Sequence, residues 1–168
     1  MFDTLKKRFP GLYDFYQHTQ RMKILKKIKK MENVPEDKYA ELIENEYLKV
    51  LGHSLNWDNL QTYTEKMQWE KIYDKNPMKT VLADKYRVRE WIENKIGNDY
   101  LIPLIGVWDS FDDIDFNSLP DQFVLKTNHG TGTNLIVKDK EKLNIKRTKR
   151  MFDDWMNIDY ALFKLSFD

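Results

Sequence analysis

Lys126 stands ahead of Thr127-Asn-His-Gly-Thr-Gly-Thr133, a loop that is small or polar throughout except for its histidine. Gly130 and Gly132 lack β-carbons, so the backbone there can turn sharply and approach a ligand closely. Thr131 and Thr133 add hydroxyl donors, and successive loop amides can form a concavity that holds an anion. An ammonium at the entrance of such a loop is suited to gripping phosphate. The competing reading is a plain hairpin turn, which needs glycine in any case. A Walker A loop is excluded, because no Gly-Lys-Ser/Thr triplet closes the segment. A second lysine, in Asp84-Lys85, lies near the start of a helical segment, where a helix N-terminus favours anions. Taken locally, it reads first as an ordinary charged pair on a surface helix.

Other chemistry is thinner. Asp113-Ile-Asp115 has the Asp-x-Asp spacing with which glycosyltransferases hold a divalent ion on a sugar nucleotide, set against an ordinary solvated acidic loop. His18, His53 and His129 are too scattered along the chain for a metal cluster by spacing. With no cysteine, neither a disulfide framework nor a thiolate metal site is available. No nucleophile–base pair is identifiable.

The elements that must position these residues are of two kinds. Gln122–Lys126 and Asn134–Lys138 are apolar runs joined by the glycine loop, which predicts a hairpin; Pro103–Trp108 predicts a further short strand. The rest is helical. Leu12, Phe15 and Tyr16 recur at helical spacing, as do Met22, Leu25 and Ile28. A helix over Asp37–Leu51 closes near Gly52, and Thr62-Tyr-Thr-Glu65 has capping-box spacing ahead of a helix presenting Trp69, Ile72 and Tyr73. Val88, Trp91, Ile92 and Ile96 mark a helix over Asp84–Ile96 capped by Gly97, and Ile145, Thr148, Phe152 and Trp155 mark another behind Asn144. The expected fold class is α+β, with a helical region over residues 1–76 and a small antiparallel-sheet-plus-helix region over 77–168.

Composition bounds the partners. The 168 residues carry a net charge of +1 and are 14% aromatic, which suits a packed core and gives no general attraction to nucleic acid. No signal peptide and no run of about 18 apolar residues is visible, so a cytoplasmic protein is expected. The basic stretch Arg21–Lys30 reads either as a solvated helix face, with Met22, Leu25 and Ile28 inward, or as a contact with the anionic inner face of the cell membrane.

A set of linked segments carries a resemblance. Leu55-Asn-Trp-Asp58, Glu65-Lys-Met-Gln-Trp69, Ala83-Asp-Lys-Tyr-Arg-Val-Arg89, Leu101-Ile-Pro-Leu-Ile-Gly-Val-Trp-Asp109, Leu119-Pro-Asp-Gln-Phe-Val-Leu-Lys126 and Asn128-His-Gly-Thr-Gly132 follow one another in this order. Over roughly residues 50–160 the chain resembles the teichuronopeptide-biosynthesis (TupA-like) branch of the ATP-grasp superfamily. The resemblance implies ATP and Mg²⁺ as cofactors. Lys85 and Lys126 would grip the nucleotide phosphates, and the loop Gly130, Thr131, Gly132, Thr133 and Asn134, with Asn128 ahead of it, would close over them. The implied reaction activates a carboxylate as an acyl phosphate, which an amine then attacks. The implied product is an amide between an amino acid and a sugar acid of a surface polysaccharide. Some relatives are labelled glycosyltransferases. The adenine-contacting hinge and the acidic metal ligands of such enzymes follow the region covered here. The chain is therefore expected to supply the front half of a site, inactive alone, with a non-catalytic remnant as the alternative. Asp153 and Asp154 lie on a helix ahead of that region. An unpaired sheet edge, prone to association, is expected with it.

Overall fold

The computed structural model describes residues 8–167 and divides them into two compact units. The first contains the residues up to Asn76 together with those from Ile158 onward. Its helices are α1 (Pro10–Met31), α2 (Tyr39–Leu51) and α3 (Tyr63–Tyr73). Proline suits the first turn of α1, where its missing N–H has no intrahelical partner, and Lys29 and Lys30 oppose the negative end of the helix dipole. Gly52 ends α2 in the left-handed region at φ 79°, its amide donating to Leu48 O at 2.8 Å. The capping box forms at α3: Glu65 N donates to Thr62 Oγ1 at 3.2 Å, and Thr62 N donates to Glu65 Oε2 at 2.7 Å.

Ile43, Tyr47, Leu55 and Leu165 form the core of this unit, with Met31, Trp57, Leu60, Ile72 and Phe167 against them. Of the three apolar residues read onto one face of α3, only Ile72 reaches that core. Trp69 and Tyr73 are 45% and 52% exposed and lean on each other at 5.2 Å. The inward stripe of α3 is narrow and runs through Gln68 and Ile72, one turn apart. Gln68 is buried because its amide donates to Thr64 O and accepts from Lys71 Nζ.

Residues from Ile158, read from sequence with the second region, pack with the first. The short α-helical turn Tyr160–Phe163 leads into buried Leu165, and the Phe167 ring stacks on Tyr39 at 3.7 Å.

The second unit runs from Pro77 to Asn157. It holds α4 (Met78–Ala83), α5 (Val88–Ile96), the strands β1 (Phe123–Lys126) and β2 (Asn134–Val137), and α6 (Ile145–Met156). The strands pair antiparallel with Phe123 opposite Val137 and Lys126 opposite Asn134. Period-two alternation then sorts the sheet into two faces. Phe123, Leu125 and Val137 are buried with Phe111, Leu119 and Phe152, while Val124 and Ile136 are 51% and 65% exposed on the other face. Asn144 caps α6 by accepting from Arg147 N at 2.9 Å, which directs Thr148 and Phe152, one turn apart, into the core. Burying a side chain such as Phe152 contributes about 1.5–3 kcal/mol.

Two expectations change here. Pro103–Trp108 forms no strand. It runs without ladder partners, leaving Leu104, Ile105 and Val107 exposed, and the Trp108 ring folds back over Gly106 onto the core. Pro103 has no N–H to give to a ladder, and no third strand lies beside the pair among the described residues. The helix expected from Asp84 begins instead at Val88, because Asp84 and Lys85 form a turn between α4 and α5.

Candidate functional site

The turn at Asp84–Lys85 is made by Asp84 itself. Its amide closes α4 on Thr80 O at 3.1 Å, while its Oδ1 accepts from Tyr86 N and Arg87 N at 2.8 and 2.9 Å. Asp84 thereby ends α4 with its amide and, with its carboxylate, satisfies the two amides that lead into α5. Its second oxygen, Oδ2, accepts from Asn128 Nδ2 at 2.8 Å. Lys85 continues the tie: its backbone N donates to Asn128 O at 2.9 Å, and its Nζ donates to Gly130 O at 2.7 Å and Asn128 O at 3.3 Å. Residues 43 to 45 positions apart in the chain are thus clamped together at the hairpin loop.

The loop is closed at its base. Thr127 N donates to Thr133 O at 3.1 Å, and both threonines are 3% exposed. The Thr127 and Thr133 hydroxyls lie 2.6 Å apart and both reach His129 O, at 2.5 and 3.2 Å. Above this base Gly130 and Gly132 take φ of 78° and 73°, the left-handed region that glycine enters without strain. Nothing lies within 4 Å of where a Gly132 β-carbon would sit, so the loop crest faces open space. Among the described residues, the amides of Gly130, Thr131 and Gly132 donate to no protein acceptor. Three successive amides of this kind are the makings of an anion nest.

Each residue expected at the site can now be placed. Lys85, Asn128 and Gly130 are in direct contact. Lys126 and Asn134 face each other across the strands on the open side of the sheet, both exposed at the loop base. Thr131 and Gly132 are exposed at the crest. The Thr133 hydroxyl points into the loop base and is engaged there. Two residues were missed. Asp84 anchors Asn128, and Thr127 closes the loop; the pairing of like threonines at the two ends of the loop is the signal that points to the second.

The electrostatics suit an anion. Burial, and next to it the like charge of Lys126, hold the Lys85 ammonium below the usual lysine range, against the opposing pull of Asp84. Two cations close enough to disfavour each other are relieved by a negative charge between them. Burial pushes the Asp84 carboxyl up, but the Arg87 and Tyr86 amides and the Asn128 side chain outweigh it, and the group stays below the usual carboxylate range.

These residues present cations and free amides to an anion; they do not fit a magnesium ion. Among the described residues no three His, Asp or Glu side chains gather as a metal site, and Asp84, the carboxylate beside the loop, is committed to two amides and Asn128. Asp113 and Asp115 are likewise committed locally. Asp113 Oδ2 accepts from Ser110 N at 3.1 Å and Asp115 Oδ1 from Asn117 N at 3.0 Å, as turn-forming carboxylates do. Asp153 pairs with Lys149 at 3.4 Å on α6.

Comparison with known proteins gives one positive result. No curated protein and no solved structure matches the chain. The family described as TupA-like ATPgrasp matches over residues 65–165, more than half of the chain and a span that takes in both lysines, both helix–loop ties and the whole hairpin. The chain belongs to the TupA-like ATP-grasp family.

Proposed function

We propose that Lys85, Lys126 and the amides of the Gly130–Asn134 loop grip the triphosphate of ATP in an ATP-dependent carboxylate–amine ligation of surface-polysaccharide synthesis. The observation that carries this reading is the 2.7 Å contact between Lys85 Nζ and Gly130 O. It seats an ammonium inside the mouth of the glycine loop, with Lys126 near enough to depress its pKa. A polyphosphate entering there exchanges two neutral carbonyl acceptors for charged oxygens, so the ammonium gains an opposite charge beside it as well as hydrogen bonds. The open sheet face bearing Val124 and Ile136 adjoins Lys126 and offers an apolar surface for the base.

In the proposed chemistry a sugar-acid carboxylate attacks the terminal phosphorus and ADP leaves. An amine then attacks the acyl carbon and displaces phosphate. The residues of this chain hold and neutralise the phosphate oxygens, so their contribution is positioning and electrostatic. Titration calorimetry of the purified chain with ATP and with tripolyphosphate tests the reading. Lys126→Ala is expected to weaken both by about ten- to a hundredfold, the loss of one charge-assisted contact, with an unchanged circular dichroism spectrum. Equal affinity in Lys126→Ala and the parent chain would remove Lys126 from the site and leave the ligase reading without support.

A further inference from the structure

Helix α1 carries apolar side chains on two faces, and only one of them is used inside the first unit. Ile28 is buried at 4% exposure on the inner face. The outer face is different. At about 100° per residue, Leu12, Phe15, Met22, Lys23, Lys26 and Lys30 fall within an arc of about 100°. Leu12, Phe15 and Met22 on that arc are 57%, 70% and 47% exposed. Met22, expected inward from sequence, therefore belongs to the outer face.

Along the helix the apolar residues of this face come first, from Leu12 to Met22, and the lysines follow, from Lys23 to Lys30. Between Arg21 and Lys30 there are six basic residues and no acidic one. Among the described residues Lys23, Lys26, Lys29 and Lys30 form no ion pair, whereas Lys38, Lys49, Lys142 and Lys149 all do. Lys27 turns the other way and lies 5.5 Å from the Phe163 ring.

From this face we infer a docking site for an anionic lipid surface. Each half alone has other uses, since a row of lysines suits any polyanion and exposed apolar groups suit any greasy partner. Together on one rigid helical face they match the two layers of a membrane boundary. Phe15, Leu12 and Met22 enter the acyl edge, and the ammonium groups meet the phosphate headgroups. No described helix is long and apolar enough to cross a membrane, so the contact is peripheral. This inference goes beyond the nucleotide reading and does not depend on it.

Cosedimentation of the purified chain with vesicles at low ionic strength tests it, using phosphatidylcholine alone and phosphatidylcholine mixed with phosphatidylglycerol. Binding is expected on the mixed vesicles only, and is expected to be lost in high salt. Lys23→Ser/Lys26→Ser/Lys30→Ser is expected to weaken it about a hundredfold, at about fivefold per lysine. Leu12→Ser/Phe15→Ser, which leaves the charge untouched, is expected to weaken it by about tenfold or more. All five positions are exposed, and a circular dichroism melt checks that both variants stay folded. No binding to the mixed vesicles would overturn the inference. So would binding that Leu12→Ser/Phe15→Ser leaves unchanged, because the face would then be a plain polyanion contact, as for an acidic protein or polymer.

Discussion

At the residue scale, Lys85 holds the loop with the same ammonium that is proposed to hold phosphate, while Lys126 has no part in the tie between turn and loop. The two lysines should therefore separate in experiment. Lys85→Ala is expected to speed hydrogen exchange of the Thr127 amide and of the residue 85 amide, which donate to Thr133 O and Asn128 O, and to weaken triphosphate binding; Lys126→Ala should weaken binding with the exchange of those two amides unchanged. Identical exchange in the two variants would argue against the clamp. Asp84 gives the tie a pH dependence. Its carboxyl is held below its ordinary value of 3.8, so the stabilisation it gives is complete above that value and is lost as pH falls through the lower folded-state pKa. Loop protection is accordingly expected to be flat from neutral pH down to about 4 and to fall on further acidification. Asp84→Asn should lower protection at neutral pH and abolish the acid-dependent step.

At the element scale, the hairpin and the extended segment ahead of it show what is local and what is not. The ends of β1 and β2, the glycine loop between them, the capping box at Thr62 and the Asn144 cap are all written in adjacent residues, and each is found where its local chemistry puts it. The Pro103–Trp108 segment has the composition of a strand, but strand formation needs a partner at hydrogen-bonding distance, and composition does not supply one. Its fixed point is instead the Trp108 ring lying over Gly106. A β-carbon added at Gly106 would meet that ring well inside van der Waals contact. Gly106→Ala is expected to push Trp108 off Phe111 and its neighbours, at a cost of about 1–3 kcal/mol in a urea melt followed by tryptophan fluorescence. A change of a few tenths of a kcal/mol would mean that the ring is not packed there. The site itself was half legible. Lys126 and the glycines announce themselves, whereas the role of Asp84 depends on a contact with Asn128 across 44 residues.

At the scale of the whole molecule, the two hydrophobic clusters share no residue: one gathers around Phe111 and Phe152, the other around Ile43 and Leu165. The second of these ties distant stretches of sequence together. Phe167 N donates to Lys71 O, and Lys75 Nζ to Phe167 O, both at 2.7 Å. Periodicity could not reveal that connection, because the final residues carry no repeat and their partner helices lie about a hundred residues earlier. Leu165→Ala is expected to cost about 2–5 kcal/mol and to lower hydrogen-exchange protection in α2 while leaving β1 and β2 protected. Equal loss in both units would show a single cooperative core. The central claim is that the lysine-flanked loop is the phosphate grip of this ATP-grasp chain. A ¹H–¹⁵N NMR titration with ATP tests it most directly. The expected result is saturable shifts at Lys85, Lys126, Gly130, Thr131 and Gly132, reproduced by tripolyphosphate and lost in Lys126→Ala. Shifts confined to residues away from this loop, or none at millimolar ATP, would contradict it.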